Sequence, residues 1–449
     1  MVILAVISVD FSKKCGKVKI MHAVNNGPAG SKVRQAMNNF DSYRDAEIPY
    51  ARLLDSAFYS GYGGEHTVDV HRIFKDFDAD VNDPASYDFE RTDIYLKDIE
   101  SVGTKPFFRL GASIEHGKKF GTYPPKDFQK WAKVCEHIIR HYTEGWADGF
   151  NMDIEYWEIW NEPDCVNPSG ESPCWQGTRE QFVEFFITAI RHLKKCFPDL
   201  KIGGPAFCGT WDDEYIDMLF GALQKENLIP DFYSFHGYRA EPYSFGEDGD
   251  KAYKVIEKYG LVNKTELILN EWNYVKGWTG DNYRYSMRAI RGLKGSSFIA
   301  GTMCAGQKSK LDMMMYYDAR PCTWNGMFDY YELQPLKGYY PFKMYSQLYK
   351  MGECISTVSN ETCVYCVAAE GDKSAGLMVT YYMDDDGAGE KDLWIKFDNF
   401  VQKGAVVEYY LLDENHDMEL VRSEKVNSDS FTSNLTMSLY STYFIKIIK

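Results

Sequence analysis

Residues 156–207 hold three pieces in a row: YWEIWNE (156–162), TREQFVEFFITAIRHLKKCFP (178–198) and KIGGPAF (201–207). The first and last are short apolar runs of strand length. In the middle piece Thr178 and Gln181 have capping-box spacing, and Pro198 stops the helical run after Phe197. The passage reads strand, helix, strand.

The same unit repeats outward in both directions. KIMHAV (19–24), YARLLD (50–55), KPFFRLG (105–111), DFYSFHGY (231–238), ELILNEW (266–272) and DMMMYYD (312–318) bring the candidate strands to eight. Helical stretches lie between them. One is Asp127–Tyr142, with Phe128, Trp131, Cys135, Ile138 and Tyr142 on one face. Eight strands alternating with helices over residues 18–345 predict an α/β fold, a closed (β/α)8 TIM barrel. After about residue 350 the period changes. TCVYCVAAE, AGLMVTYYM, DLWIKF, AVVEYYLL, FTSNLTMSL and TYFIKIIK read as short strands separated by turns such as Asp384-Asp385-Asp386-Gly387. Residues 346–449, together with residues 1–17 and their strand-like Val2–Val9, are expected to form an accessory antiparallel β-sandwich.

Composition narrows the class. Of 449 residues, 45% are hydrophobic and 26% charged, as in ordinary soluble domains. The 33 Tyr, 27 Phe and 10 Trp suit a hydroxyl-rich ligand as well as a large core. A net charge of −15 with no basic cluster argues against a nucleic-acid partner. No run reaches the ~20 apolar residues of a membrane helix. The first residues lack the basic flank and cleavage site of a secretion signal, so a cytoplasmic location is expected and the sequons at Asn263, Asn360 and Asn434 carry no weight. Eleven scattered cysteines read as reduced thiols. Cys363 and Cys366 form a C-x-x-C, but on a strand they face opposite ways and lack a second ligand pair. No metal and no cofactor is expected.

Barrels of this kind carry their active sites at the C-terminal strand ends. The fourth strand ends in Trp160-Asn161-Glu162-Pro163 and the seventh in Asn270-Glu271-Trp272-Asn273. Two carboxylates on one rim are what glycoside hydrolysis requires, one to protonate the leaving oxygen and one to attack the anomeric carbon. Each motif alone is weak; on strands four and seven together they form a specific pattern.

From about Val6 to the end of the barrel, the chain resembles clan A glycoside hydrolases, and within them family 39, the β-xylosidases and α-L-iduronidases. The resemblance rests on Asp69-Val70-His71-Arg72-Ile73-Phe74, Trp157-Glu158-Ile159-Trp160-Asn161-Glu162-Pro163, Ile268-Leu269-Asn270-Glu271-Trp272 and Tyr316-Tyr317-Asp318-Ala319-Arg320-Pro321. It implies Glu162 as general acid/base and Glu271 as nucleophile of a retaining enzyme acting on β-xylosides or related α-L-arabinosides. It also places an Arg at the end of the second strand, which assigns Arg52 as the cation beside the nucleophile. Asn161 is expected to bind the sugar 2-hydroxyl, and His236 and Tyr238, ending the sixth strand, to donate to Glu271 and to the sugar. Relatives often carry His-Asp after that Arg; here Asp55 is a candidate substrate-binding residue, and Leu54 stands in place of the His donor.

Other residues have plainer alternatives. His71 and Arg72 are candidates for lining the sugar site or for anchoring a loop. Trp175, Trp272, Trp278 and Trp324 are candidate stacking platforms, with core packing expected for half of them. Glu158 shares strand parity with Trp160 and Glu162 and reads as an interior ion pair. His137 and His141 lack the Glu of a zinc protease and read as solvated. Asp76, Asp78 and Asp80 begin like a calcium loop, but Val81 and Tyr87 stand where Gly and Glu are required. The rival from another class is a non-catalytic carbohydrate-binding protein, which would be expected to have lost one glutamate.

Overall fold

The computed structural model describes residues 5–30, 37–54, 66–167, 169–387, 389–400 and 404–449. Strands are numbered here in chain order. β1 (Ala5–Lys17) belongs to the second unit. β2 (Ile20–Asn25), β3 (Tyr50–Arg52), β4 (Lys105–Leu110), β5 (Tyr156–Ile159), β6 (Lys201–Phe207), β7 (Phe232–Arg239), β8 (Glu266–Tyr274) and β9 (Met313–Tyr316) close a barrel. Every neighbouring pair is parallel, and closure is made by Ile20 opposite Met313 and Val24 opposite Tyr316. All eight strands expected from the sequence are present.

Strand parity divides the barrel into layers. Ala23, Tyr50, Phe107, Tyr156, Phe232, Ile268, Met313 and Met315 point inward and plug the N-terminal half. Two residues further along, inward positions become polar: Asn25, Arg52, Arg109, Glu158, Ser234 and Asn270, all buried. Outward residues such as Trp157, Ile159, Phe235 and Leu269 pack against the helices. The helix Phe128–Glu144 starts at Asp127, whose side chain accepts from the Lys130 amide, and ends at Gly145 in a left-handed conformation. The helix Arg179–Cys196 carries the full Thr178–Gln181 capping box. His141 is not solvated as expected. It is buried, faces Asp93 at 3.0 Å and stacks on Phe89.

The last barrel helix, Tyr340–Met351, is followed by Gly352, and β10 (Glu353–Ser359) opens the second unit. It continues through β11 (Val364–Glu370), β12 (Ser374–Tyr381), β13 (Glu390–Asp398), β14 (Ala405–Leu412), β15 (Asp417–Val426), β16 (Phe431–Ser438) and β17 (Thr442–Ile448). Their order in one nine-stranded sheet is β15-β14-β17-β12-β11-β10-β1-β13-β16. The pairs are antiparallel except β1 with β13. The sheet wraps on itself as a sandwich, so that Ile7, Val9, Leu393 and Ile395 share one core with Leu377, Val379, Val407 and Ile445. Its other face, through Val367, Ala369, Met378 and Phe444, joins the core of the barrel helices.

Candidate active site

The two glutamates reach the barrel mouth by different local devices. After β5 the chain leaves regular geometry: Trp160 has φ 75° and Glu162 φ 47°. Left-handed backbone costs a non-glycine residue on the order of 1–3 kcal/mol, so it persists only where the surroundings fix it. The Trp160 amide donates to Leu110 O at 2.7 Å and its ring is wedged among Trp131, Trp175 and Phe185, while the Glu162 amide donates to Ala206 O at 2.8 Å. Trp160 therefore turns out into the helix layer, not inward with Glu158 as strand parity alone suggests. On β8 the pairing to both neighbours slips between Leu269 and Trp272. That bulge lets two consecutive side chains, Asn270 and Glu271, face the interior.

An oxygen of Glu162, one of Glu271 and a ring nitrogen of His236 lie within 4.8 Å of one another. His236 Nδ1 is 2.7 Å from Glu162 Oε1 and 3.6 Å from Glu271 Oε2. The expectation for His236 and Tyr238 named Glu271 and the sugar; for His236 the nearer carboxylate is Glu162. Tyr238 donates its hydroxyl to Glu271 Oε1. Arg52 spans the floor, with Nη1 donating to Glu271 Oε2 at 3.4 Å, Nη2 to Asn161 Oδ1 at 2.6 Å and Nε to Glu158 Oε2 at 2.7 Å. Glu158 in turn accepts from Ser234 and Asn270, which closes the buried polar layer beneath the site. Burial, and after it the charge of Cys165, pushes Glu162 up to about 8. Glu271 is raised by burial and by the neighbouring Glu162, and is opposed by the Arg52 guanidinium and the Tyr238 hydroxyl. Burial lowers His236 to about 4, so its ring is neutral. The His236–Glu162 hydrogen bond survives proton transfer: a protonated Glu162 donates to bare Nδ1, and an ionised one accepts from Nδ1–H.

Comparison with known proteins fits this arrangement. Residues 49–271 match the model for glycosyl hydrolases family 39. The chain belongs to that family. The match runs from the residue before β3 to Glu271 and so contains Arg52, Asn161, Glu162, His236 and Tyr238. A beta-xylosidase of Geobacillus stearothermophilus is 25% identical over 181 residues, 38% of this chain and 34% of the relative. A beta-xylosidase of Caldicellulosiruptor saccharolyticus is 25% identical over 198 residues, 41% of this chain and 38% of the relative. The chain thus spans little more than a third of the length of the curated relatives it matches. Among solved structures, a glucosidase from Croceicoccus marinus superposes with a TM-score of 0.80 at 20% identity, covering 100% of this chain and 99% of that one. The family 39 enzyme from Xanthomonas axonopodis pv. citri does so at 0.74 and 14% identity, covering 100% and 98%. These structural likenesses establish the fold.

In this family 39 barrel the other expected residues divide. Asp55 lies outside the described residues. Leu54 is buried, and only its carbonyl acts at the rim, accepting from Arg109 and Ser113. His71 is half-buried with its ring against Gly121, where a Cβ would come within 2.1 Å; no contact joins it to the glutamates. Asp69, in the same long motif, anchors that loop through Arg109 and the Ser113 amide. Trp324 and Trp278 stand with Tyr238 at the mouth, ring centroids 5.1–5.8 Å apart. Trp175 and Trp272 are core. Sequence reasoning passed over Asp164 and the thiols around Glu162. Burial raises Asp164 to about 7, and it accepts from the Cys208 amide. The neighbouring Cys174 and Cys208 lower the pKa of Cys165.

Proposed function

We propose that the chain is a retaining glycoside hydrolase with Glu162 as acid/base and Glu271 as nucleophile, acting on a β-xyloside or the stereochemically related α-L-arabinoside. The observation that carries the reading is the approach of the two carboxylates, with oxygens no more than 4.8 Å apart across His236. Retaining enzymes hold their carboxyl groups ~5–5.5 Å apart, whereas inverting ones leave ~6.5–9.5 Å for a water. The proton affinities favour the same roles. Glu162, pushed up to about 8, is the group that keeps a proton to give. Glu271 is surrounded by Arg52 and Tyr238, donors that favour its ionised form.

In the first step Glu271 attacks the anomeric carbon as the glycosidic bond breaks, and Glu162 delivers its proton to the departing oxygen. In the second, ionised Glu162 takes a proton from water, whose oxygen displaces Glu271 and frees the sugar. Asn161, its Oδ1 fixed by Arg52, turns its amide toward the sugar's 2-hydroxyl. Trp278, 58% exposed, and Trp324 offer faces for a sugar ring beyond the cleavage point. The sugar class is read from the two beta-xylosidase relatives.

The test is a panel of aryl glycosides assayed with the chain and with Glu271→Ala. Cleavage of the β-xyloside or α-L-arabinoside is expected. The variant should be inactive alone and, with azide, should form a glycosyl azide of inverted configuration. Variant activity within about tenfold of the parent contradicts the nucleophile assignment.

A further inference from the structure

Three of the eleven cysteines converge on Glu162 from separate places in the chain. Cys165 sits in the turn after the strand-five motif, its amide donating to Glu162 O at 3.1 Å. Cys174 is nine residues further along the same loop and fully buried. Cys208 directly follows β6. One donor atom each from Glu162, Cys165 and Cys208 lies within 4.8 Å of the others. Cys174 Sγ is 3.8 Å from Glu162 Oε2, so the glutamate joins it to the other two thiols. Cys165 and Cys208 are partly buried, neither fully closed off from solvent.

We propose that Cys165, Cys174, Cys208 and Glu162 form a four-ligand site for a thiophilic divalent cation such as Zn2+, and that its occupation withdraws Glu162 from acid catalysis. Two thiolates ~2.3 Å from a tetrahedral zinc stand ~3.8 Å apart, so Glu162, Cys165 and Cys208 need to draw in by at most about an ångström, and Cys174 closes the set from its side of Glu162. Three sulfurs and one carboxylate are a closed structural set, with no place left for water. Binding releases the thiol protons and places negative charge beside Arg52, whose guanidinium feels Glu162. The inhibitory half rests on the acid/base role proposed above; the binding half does not.

A second group, Glu136, His192 and Cys196, has one sulfur, and Arg140 competes for its carboxylate. The test therefore uses the full chain, reduced, as Cys196→Ser, titrated with Cd2+ and read by the ultraviolet thiolate-to-metal band. Saturation at one equivalent is expected. Cys165→Ser and Cys208→Ser should each shrink the band and weaken binding at least tenfold, while Cys363→Ser leaves it unchanged. A measurement free of folding artefacts uses the unsubstituted chain: Zn2+ should shield Cys165 and Cys208 from iodoacetamide, mapped by mass spectrometry. A band that does not saturate at one equivalent, or absence of shielding, overturns the site. Shielding with undiminished glycoside cleavage overturns the inhibitory half. Loss of the proposed glycosidase activity altogether leaves the band and the shielding as they are, so the two readings fail separately.

Discussion

At the residue scale, the environments of Glu162 and Glu271 set their order of ionisation. Glu162 meets burial, the charge of Cys165 and a neutral imidazole, whereas Glu271 meets a guanidinium and a phenol. Because the two carboxyls interact, a pH profile reports the pair. With a chelator present, activity should rise as Glu271 ionises, above the usual carboxylate range, and fall through about 8 as Glu162 loses its proton. The same shift acts on stability. The folded pKa of Glu162 lies above its ordinary 4.5, so the folded chain holds the extra proton between those values. The contribution is complete below about 4.5 and is lost as pH rises through about 8. Glu162→Gln stays neutral throughout, so its melting temperature should gain on the parent across that window. Parallel curves would show that the carboxyl is not held protonated. The placement of the pair on one rim was legible because Asn161-Glu162 and Asn270-Glu271 end apolar runs. Their partners were less so. Cys165, Cys174 and Cys208 are scattered in sequence and meet only because a loop folds back over the end of β6.

At the element scale, parity explains both what could be read and what could not. A period of two carries Tyr50 and Arg52, or Tyr156 and Glu158, inward from the plug to the polar layer, so Glu158 was foreseen as an interior ion pair. The pattern breaks where the backbone does, at the left-handed Trp160 and at the β8 bulge. Neither break has a glycine or proline inside it to announce it. β10 and β15 were also missed. β15 is an edge strand exposed on both faces, as in Glu419 and Glu424, so it shows no alternation. The polar layer gives a direct check. Glu158→Gln removes the charge nearest the fully buried Arg52 guanidinium. Losing one member of a buried pair costs ~3–5 kcal/mol, so urea unfolding should show a loss of about 3 kcal/mol. A change under about 1 kcal/mol would mean that Glu271 alone balances Arg52.

At the scale of the molecule, the second unit acts as a buttress. The helix Leu293–Lys308 is buried almost throughout, with Ser297 hydrogen-bonded to Thr380 and Tyr381 across the junction. Lys294 pairs with Asp384 at 2.7 Å at the same junction. Deleting residues 352–449 would expose that helix and leave β1 without β10 and β13, so the truncated chain should be insoluble. A soluble, fully active barrel would contradict this. Both units were legible as architecture because the hydrophobic period changes near residue 350. The wrapping of nine strands into one sheet was not, since register depends on pairings far apart in sequence. The central claim is that two glutamates less than 5 Å apart act by double displacement, and the anomeric configuration of the first product tests it most directly. Proton NMR of an aryl glycoside digest, read before mutarotation, should show the substrate's own anomer first. If the inverted anomer leads, Glu271 activates a water and the nucleophile assignment is wrong.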